Sequence, residues 1–184
     1  MSVNDPGSMQ RAKQPRSPLA GAYGHPVHPI LVTIPIGAWT SSIVLDIVAF
    51  TSDDPAGLAL ASAWLLGIGA VGAVLAAIWG AIDLSTLAAG TVARRTGITH
   101  AVLNVSALVV FLVDLAVRRS QGLDDVGTLP FVLSLVGVAL VGASGFLGGR
   151  LAYHYGVRVA DEATQAEGFR PPGTAGGGRT AGRP

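Results

Sequence analysis

Four long apolar segments, separated by short polar breaks, constrain this chain more than any other feature. They run from about Pro29 to Phe50, Ala56 to Leu84, Ile98 to Val117 and Leu129 to Tyr153. Each is long enough to cross a hydrocarbon core of about 30 Å as a helix. Lipid offers the backbone no hydrogen bonds, so a spanning run of this kind must satisfy its own N–H and C=O groups as a helix. The predicted fold class is therefore all-α, an integral membrane bundle of four transmembrane helices. Thr51-Ser52-Asp53-Asp54-Pro55 breaks the first segment from the second, and Pro55 suits a helix start. The second segment is overlong and is expected to tilt or project from the bilayer. A polar connection with Arg94 and Arg95 precedes the third, which Arg118-Arg119 are expected to end. The loop Gln121–Gly127 precedes the fourth. The domain organisation follows: a disordered basic tail over 1–24, the transmembrane domain over 25–159, and a disordered Gly- and Pro-rich tail over 160–184.

Composition narrows the function. Only 12% of residues are charged, about half the share of an ordinary soluble domain. The net charge is +1, and no basic stripe with interleaved aromatics speaks for nucleic acid as a partner. Without cysteine, disulfides, thiolate metal sites, iron–sulfur ligation and cysteine-linked haem are excluded. Neither a nucleophile elbow nor an H-E-x-x-H helix is present, so conventional hydrolase chemistry is not expected. The first 24 residues lack the apolar run of a cleavable signal peptide, so the first helix is expected to direct insertion.

Basic residues orient the bundle. Arg11, Lys13, Arg16, Arg94, Arg95, Arg150, Arg158, Arg170, Arg179 and Arg183 fall on one side, and only Arg118 and Arg119 on the other. The positive-inside rule then puts both termini in the cytoplasm, with the protein in a plasma membrane and the lipid bilayer as its first partner. Small residues mark expected packing seams: Gly69, Gly72, Ala73, Ala76 and Gly80 on the second helix, and Gly142, Gly145 and Gly149 on the fourth.

Ionisable and amide groups inside a bilayer are costly and point to sites. His28 and Asp46 are 18 residues apart on the first helix, five turns at about 3.6 residues per turn, so they share a face. His100, Asn104 and Asp114 share a face of the third helix. Because these two helices run in the same direction, two polar layers are expected. The inner contains His28, Asp83, His100 and Asn104, with His25 and His154 at its margin; the outer contains Asp46 and Asp114. Each residue also has a plainer reading. His28 suits a headgroup-level cap, His100 with Asn104 a helix clamp, Asp83 a pair with Arg94 or Arg95, and the outer aspartates solvation.

The stretches Gly24-His25-Pro26-Val27-His28-Pro29, Ile34-Pro35-Ile36-Gly37-Ala38-Trp39-Thr40, Asp46, Gly80–Leu84, His100–Asn104, Gly148-Gly149, Tyr153 and Gly156-Val157 together resemble the bacterial membrane family catalogued as domain of unknown function 2231. The resemblance covers residues 23–159 and implies four transmembrane helices and a bacterial inner membrane. Similar members carry Rieske-type or cytochrome-like extensions, which implies redox chemistry and an electron-transfer protein as partner. Many relatives have a second His where this chain has Thr33. These observations support a haem b held by His28 and His100 as axial ligands, with Asn104 or Asp83 orienting a ring. The alternatives are a structural scaffold without cofactor, and a small ion or proton transporter using Asp46, Asp83 and Asp114.

Overall fold

The computed structural model describes residues 6–13, 21 and 25–169. Four of its helical stretches are long and apolar enough to cross a membrane: Val27–Ala49, Ala56–Ser85, Val92–Gln121 and Thr128–His154. In chain order the elements are α1 (Pro6–Ala12), α2 (Val27–Leu31), α3 (Thr33–Ala49), α4 (Ala56–Ser85), α5 (Val92–Gln121), α6 (Thr128–Gly149), a π-helical turn (Arg150–His154) and α7 (Glu162–Glu167). Each tail expected to lack structure thus carries a short helix. Arg16, Arg170, Arg179 and Arg183 lie outside the described residues.

Local chemistry explains where the spans start, bend and stop. Pro35 has no N–H to give the carbonyl one turn earlier, and its ring crowds that carbonyl. The first span is accordingly interrupted at Val32, between α2 and α3. The third span is longer than its apolar run. Thr91 Oγ1 accepts the backbone N–H of Arg94 at 3.2 Å, an N-cap that starts α5 at Val92. Arg94 and Arg95 therefore stand in its first turn and not in a connection. Arg118 and Arg119 do not end it either; α5 continues to Gln121 and stops at Gly122, whose φ of 101° favours glycine.

α3 packs chiefly on α4 and α5 on α6, with α4 against α5 and α3 against α6 closing the ring. α3 and α5 therefore face each other across the diagonal and meet through side chains. The bundle is apolar outside, and its interior combines an apolar centre around Trp39, Leu66 and Phe111 with buried polar groups. Ser42, Ser62, Ser134, Ser144, Asp46, Asp114 and Arg118 are buried, while Val44, Ile47, Val71, Val109 and Val136 are exposed. Lipid welcomes such an exterior, and small or polar residues hold helices together inside it. Below, the end carrying residues 50–55 and 122–127 is the loop end, and the other is the terminal end.

Candidate functional site

The bundle interior holds three layers, each joining α2 or α3 to α5 across the diagonal. At its centre the Trp39 and Phe111 rings stack at 4.1 Å between centroids. Glycine makes room for both. A Cβ on Gly69 would overlap the Trp39 indole, and one on Gly137 would come within 2.5 Å of the Phe111 ring. Trp39 Nε1 donates to the Leu66 carbonyl at 3.3 Å.

Towards the loop end lies an ion cluster. Arg118 grips Asp46 with two hydrogen bonds, Nη1 to Oδ1 at 2.9 Å and Nη2 to Oδ2 at 2.7 Å. Its Nε donates to Asp114 Oδ1 at 2.8 Å. Ser62 Oγ donates to Asp46 Oδ1 and Ser134 Oγ to Asp114 Oδ2, each at 2.6 Å. Both aspartates are fully buried and Arg118 is 2% exposed. A planar, forked cation suits two carboxylates held in this geometry. Sequence reasoning placed Asp46 and Asp114 at one depth but left Arg118 in a loop and missed both serines. The available signal was the spacing of Arg118 four residues after Asp114, one helical turn.

Towards the terminal end lies the histidine layer. His28 Nδ1 is 2.8 Å from the Ala76 carbonyl oxygen, and His100 Nδ1 is 2.8 Å from that of Ser144. A carbonyl only accepts, so each ring donates from Nδ1 and keeps its lone pair on Nε2. The two ring centroids are 6.3 Å apart with planes at 88°. Asn104 Nδ2 donates at 3.0 Å both to His100 Nε2 and to the His100 carbonyl. Ser144 Oγ donates to that same carbonyl at 3.1 Å. Gly80 and Gly148 leave space for the rings, since a Cβ on either would stand 3.0 Å from His28 Cε1 or 3.1 Å from His100 Cε1.

Asp83 takes a different partner. Its Oδ1 accepts from Arg158 Nε at 2.7 Å, while Arg94 Nη1 donates to the Leu87 carbonyl at 2.9 Å. Arg158 adopts a φ of 60°, and its N–H donates to the Ala12 carbonyl at 2.8 Å. The His154 ring packs against Tyr155.

The two helical hairpins repeat one another. His28 and His100, Trp39 and Phe111, and Asp46 and Arg118 are each 72 positions apart, and each pair meets on the diagonal. Their neighbours on α4 and α6 repeat at an offset of 68: Gly69 with Gly137, Ala76 with Ser144, and Gly80 with Gly148. An approximate two-fold axis along the bundle relates the hairpins, the arrangement of parallel-repeat membrane proteins. The doubled signature, His then an aromatic eleven residues on and two glycines eleven apart, is the sequence signal of this repeat. The glycine seam of the fourth helix was also assigned to the wrong face. Gly142 and Gly145 have nothing within 4 Å of a Cβ, whereas Gly137 and Gly148 make the close approaches.

The histidine pair is the one place where the expected ligands converge. Among the described residues no group of three or more His, Cys, Asp or Glu could hold a metal ion. A porphyrin brings four nitrogens of its own and asks only for the axial pair. Metal-binding histidines typically donate their other ring N–H to a carbonyl, as both rings do here. His28 and His100 would be the residues to hold such a group, their ring centroids standing 6.3 Å apart. Asn104 engages the His100 Nε2, so holding iron there would require that contact to break and the packed helices to make room for the macrocycle.

A family model described as "Predicted membrane protein (DUF2231)" matches residues 24–161. No curated protein and no solved structure matches the chain.

Proposed function

The chain belongs to the DUF2231 family of predicted membrane proteins, and from that premise we propose that it is a membrane redox module with both termini in the cytoplasm, holding haem b between His28 and His100. The observation that carries this reading is the paired orientation of the two imidazoles. Repeat-related histidines on facing helices are each fixed through Nδ1 by a backbone carbonyl, at a centroid separation of 6.3 Å. Neutral rings so oriented are suitable axial ligands, and bundle interiors commonly supply them from facing helices. Binding would require the Asn104 amide to turn away from the His100 Nε2 that it engages. Protein purified in mild detergent from haem-replete cells should show a Soret band that sharpens on reduction. His28→Ala and His100→Ala should each remove or shift it, and His154→Ala should not.

A second reading has its own support. No buried side-chain nitrogen or oxygen among the described residues lacks a hydrogen-bond partner. Closed networks of this kind suit helix clamps in a scaffold without cofactor. A colourless preparation that takes up no added haemin would favour the clamp and reject the haem site. Continuous proton or cation transfer has less support, since the stacked Trp39 and Phe111 rings fill the bundle between the ion cluster and the histidine layer.

A further inference from the structure

A groove of about 550 Å³ runs along the lipid-facing side of α4, bordered by α5 and, at its deep end, by Ile34. It extends from Leu60 near the loop end to Leu75 beyond the middle of the span. Fifteen residues at about 1.5 Å each make that roughly 22 Å, more than the roughly 15 Å that one leaflet contributes to the hydrocarbon core. Gly67 and Gly72 lower its floor, and its lining is apolar except at one place. That place is Arg119, at the mouth, two residues before the end of α5.

Arg119 differs from its neighbour in every respect that matters here. Arg118 points inward and is fully engaged by Asp46 and Asp114. Arg119, about 100° further round the helix, is exposed and makes no ion pair or hydrogen bond with any described residue. A long apolar groove that ends at an unpaired guanidinium close to the end of α5 suits a molecule with an apolar tail and an anionic head. We infer that the groove is a binding site for an anionic phospholipid of the loop-end leaflet, with one acyl chain along α4 and the phosphate on Arg119. Guanidinium binds phosphate bidentately, and the chain lies against Leu60, Ile68, Val71 and Leu75. The inference does not depend on haem at the histidine layer, which lies elsewhere in the bundle.

The test is native mass spectrometry of the full chain in mild detergent, titrated with phosphatidylglycerol or phosphatidylcholine. One phosphatidylglycerol should be retained in preference to phosphatidylcholine by about five-fold, the scale of one basic side chain at an anionic lipid. Arg119→Gln should remove the preference and Arg119→Lys should keep it. Gly67→Leu, which fills the groove, should lower retention of both lipids; if it fails to fold, Val71→Trp at an exposed lining position replaces it. Equal retention of the two lipids by the unmodified chain, an undiminished preference in Arg119→Gln, or unchanged retention with the groove filled would each overturn the site and leave only general lipid contact.

Discussion

Arg118 and Asp46 occupy equivalent positions in the two hairpins and form the shortest ion-pair contact of the loop-end cluster, at 2.7 Å from Nη2 to Oδ2. Repeat-related positions that meet on an axis would bring like groups together. An aspartate facing an aspartate would repel inside lipid, so the exchange of one for arginine turns the contact from repulsive to attractive. The second carboxylate, Asp114, then stands one turn before the arginine and completes the cluster.

Removing that cation should be severe. Arg118→Met strands two buried carboxylates, and breaking a buried pair this way costs about 3–5 kcal/mol. Arg119→Met, on the neighbouring exposed residue, should cost less than about 0.5 kcal/mol. Denaturation of both variants in mixed micelles measures the difference; equal losses would refute the assignment of Arg118 to the interior.

Glycine substitutions should separate packed from lipid-facing surfaces. Gly137→Ala drives a methyl group into the Phe111 ring and should destabilise by about 1–3 kcal/mol, the usual cost of overpacking. Gly142→Ala and Gly145→Ala meet nothing and should be neutral or stabilising by up to about 1 kcal/mol, because alanine is the better helix former. Melting curves of the three variants would show this ordering, and a reversed one would contradict the placement of α6.

The histidine layer yields a test that does not involve cofactor. Asn104→Leu leaves His100 Nε2 without its donor and should lower stability by about 1–3 kcal/mol. Nitrogen-15 NMR of labelled histidine should report Nδ1–H tautomers for His28 and His100 in the cofactor-free protein. Nε2–H tautomers would contradict the carbonyl contacts described above.

A contact between the chain ends should respond to acid. Lys13 Nζ lies 2.9 Å from Glu162 Oε1, and this hydrogen bond with the ammonium holds the Glu162 carboxyl below its ordinary range. A depressed carboxyl contributes stability above its ordinary pKa and loses it as pH falls through the lowered value. Protection against hydrogen exchange in α1 and α7, taken relative to the intrinsic rate at each pH, should therefore be unchanged from neutral pH to about 5 and fall below about 4. Glu162→Gln should weaken that dependence in α1, while α7 keeps the part that comes from Asp161, whose lowered carboxyl accepts the Thr164 N–H as a helix cap.

Orientation is open to reporter fusions. Setting buried residues aside at both ends, Arg119 is the one basic residue left at the loop end among the described residues, against Arg11, Arg94, Arg95 and Arg150 near the other. Reporters at either terminus should read as cytoplasmic and one within Thr51–Pro55 as external. The opposite pattern would invert the molecule.

Four apolar helices, their order and the depths of His28, His100, Asn104, Asp46 and Asp114 are legible in the sequence alone. The reason is that lipid enforces them: a spanning segment must be apolar, helical and of a set length, so hydropathy translates directly into topology. Depth follows from counting residues along a helix, and His28, His100 and Asn104 were grouped correctly on that basis. What counting cannot supply is azimuth and partner. In lipid the apolar residues do not distinguish inside from outside, so the face that Gly142 and Gly145 occupy was misread. Arg118 looked like a loop charge because its apolar run had ended, yet α5 continues and two buried carboxylates neutralise it. Asp83 likewise found Arg158, a residue 75 positions away, which only the path of the chain beyond α6 brings near. The serines that complete both layers carry no signal of their own; a hydroxyl on an apolar helix gains meaning only when another helix places an acceptor opposite. Tertiary structure decided these matters because hydrogen bonds and ion pairs are made between helices, and their energies depend on distances that no single helix contains.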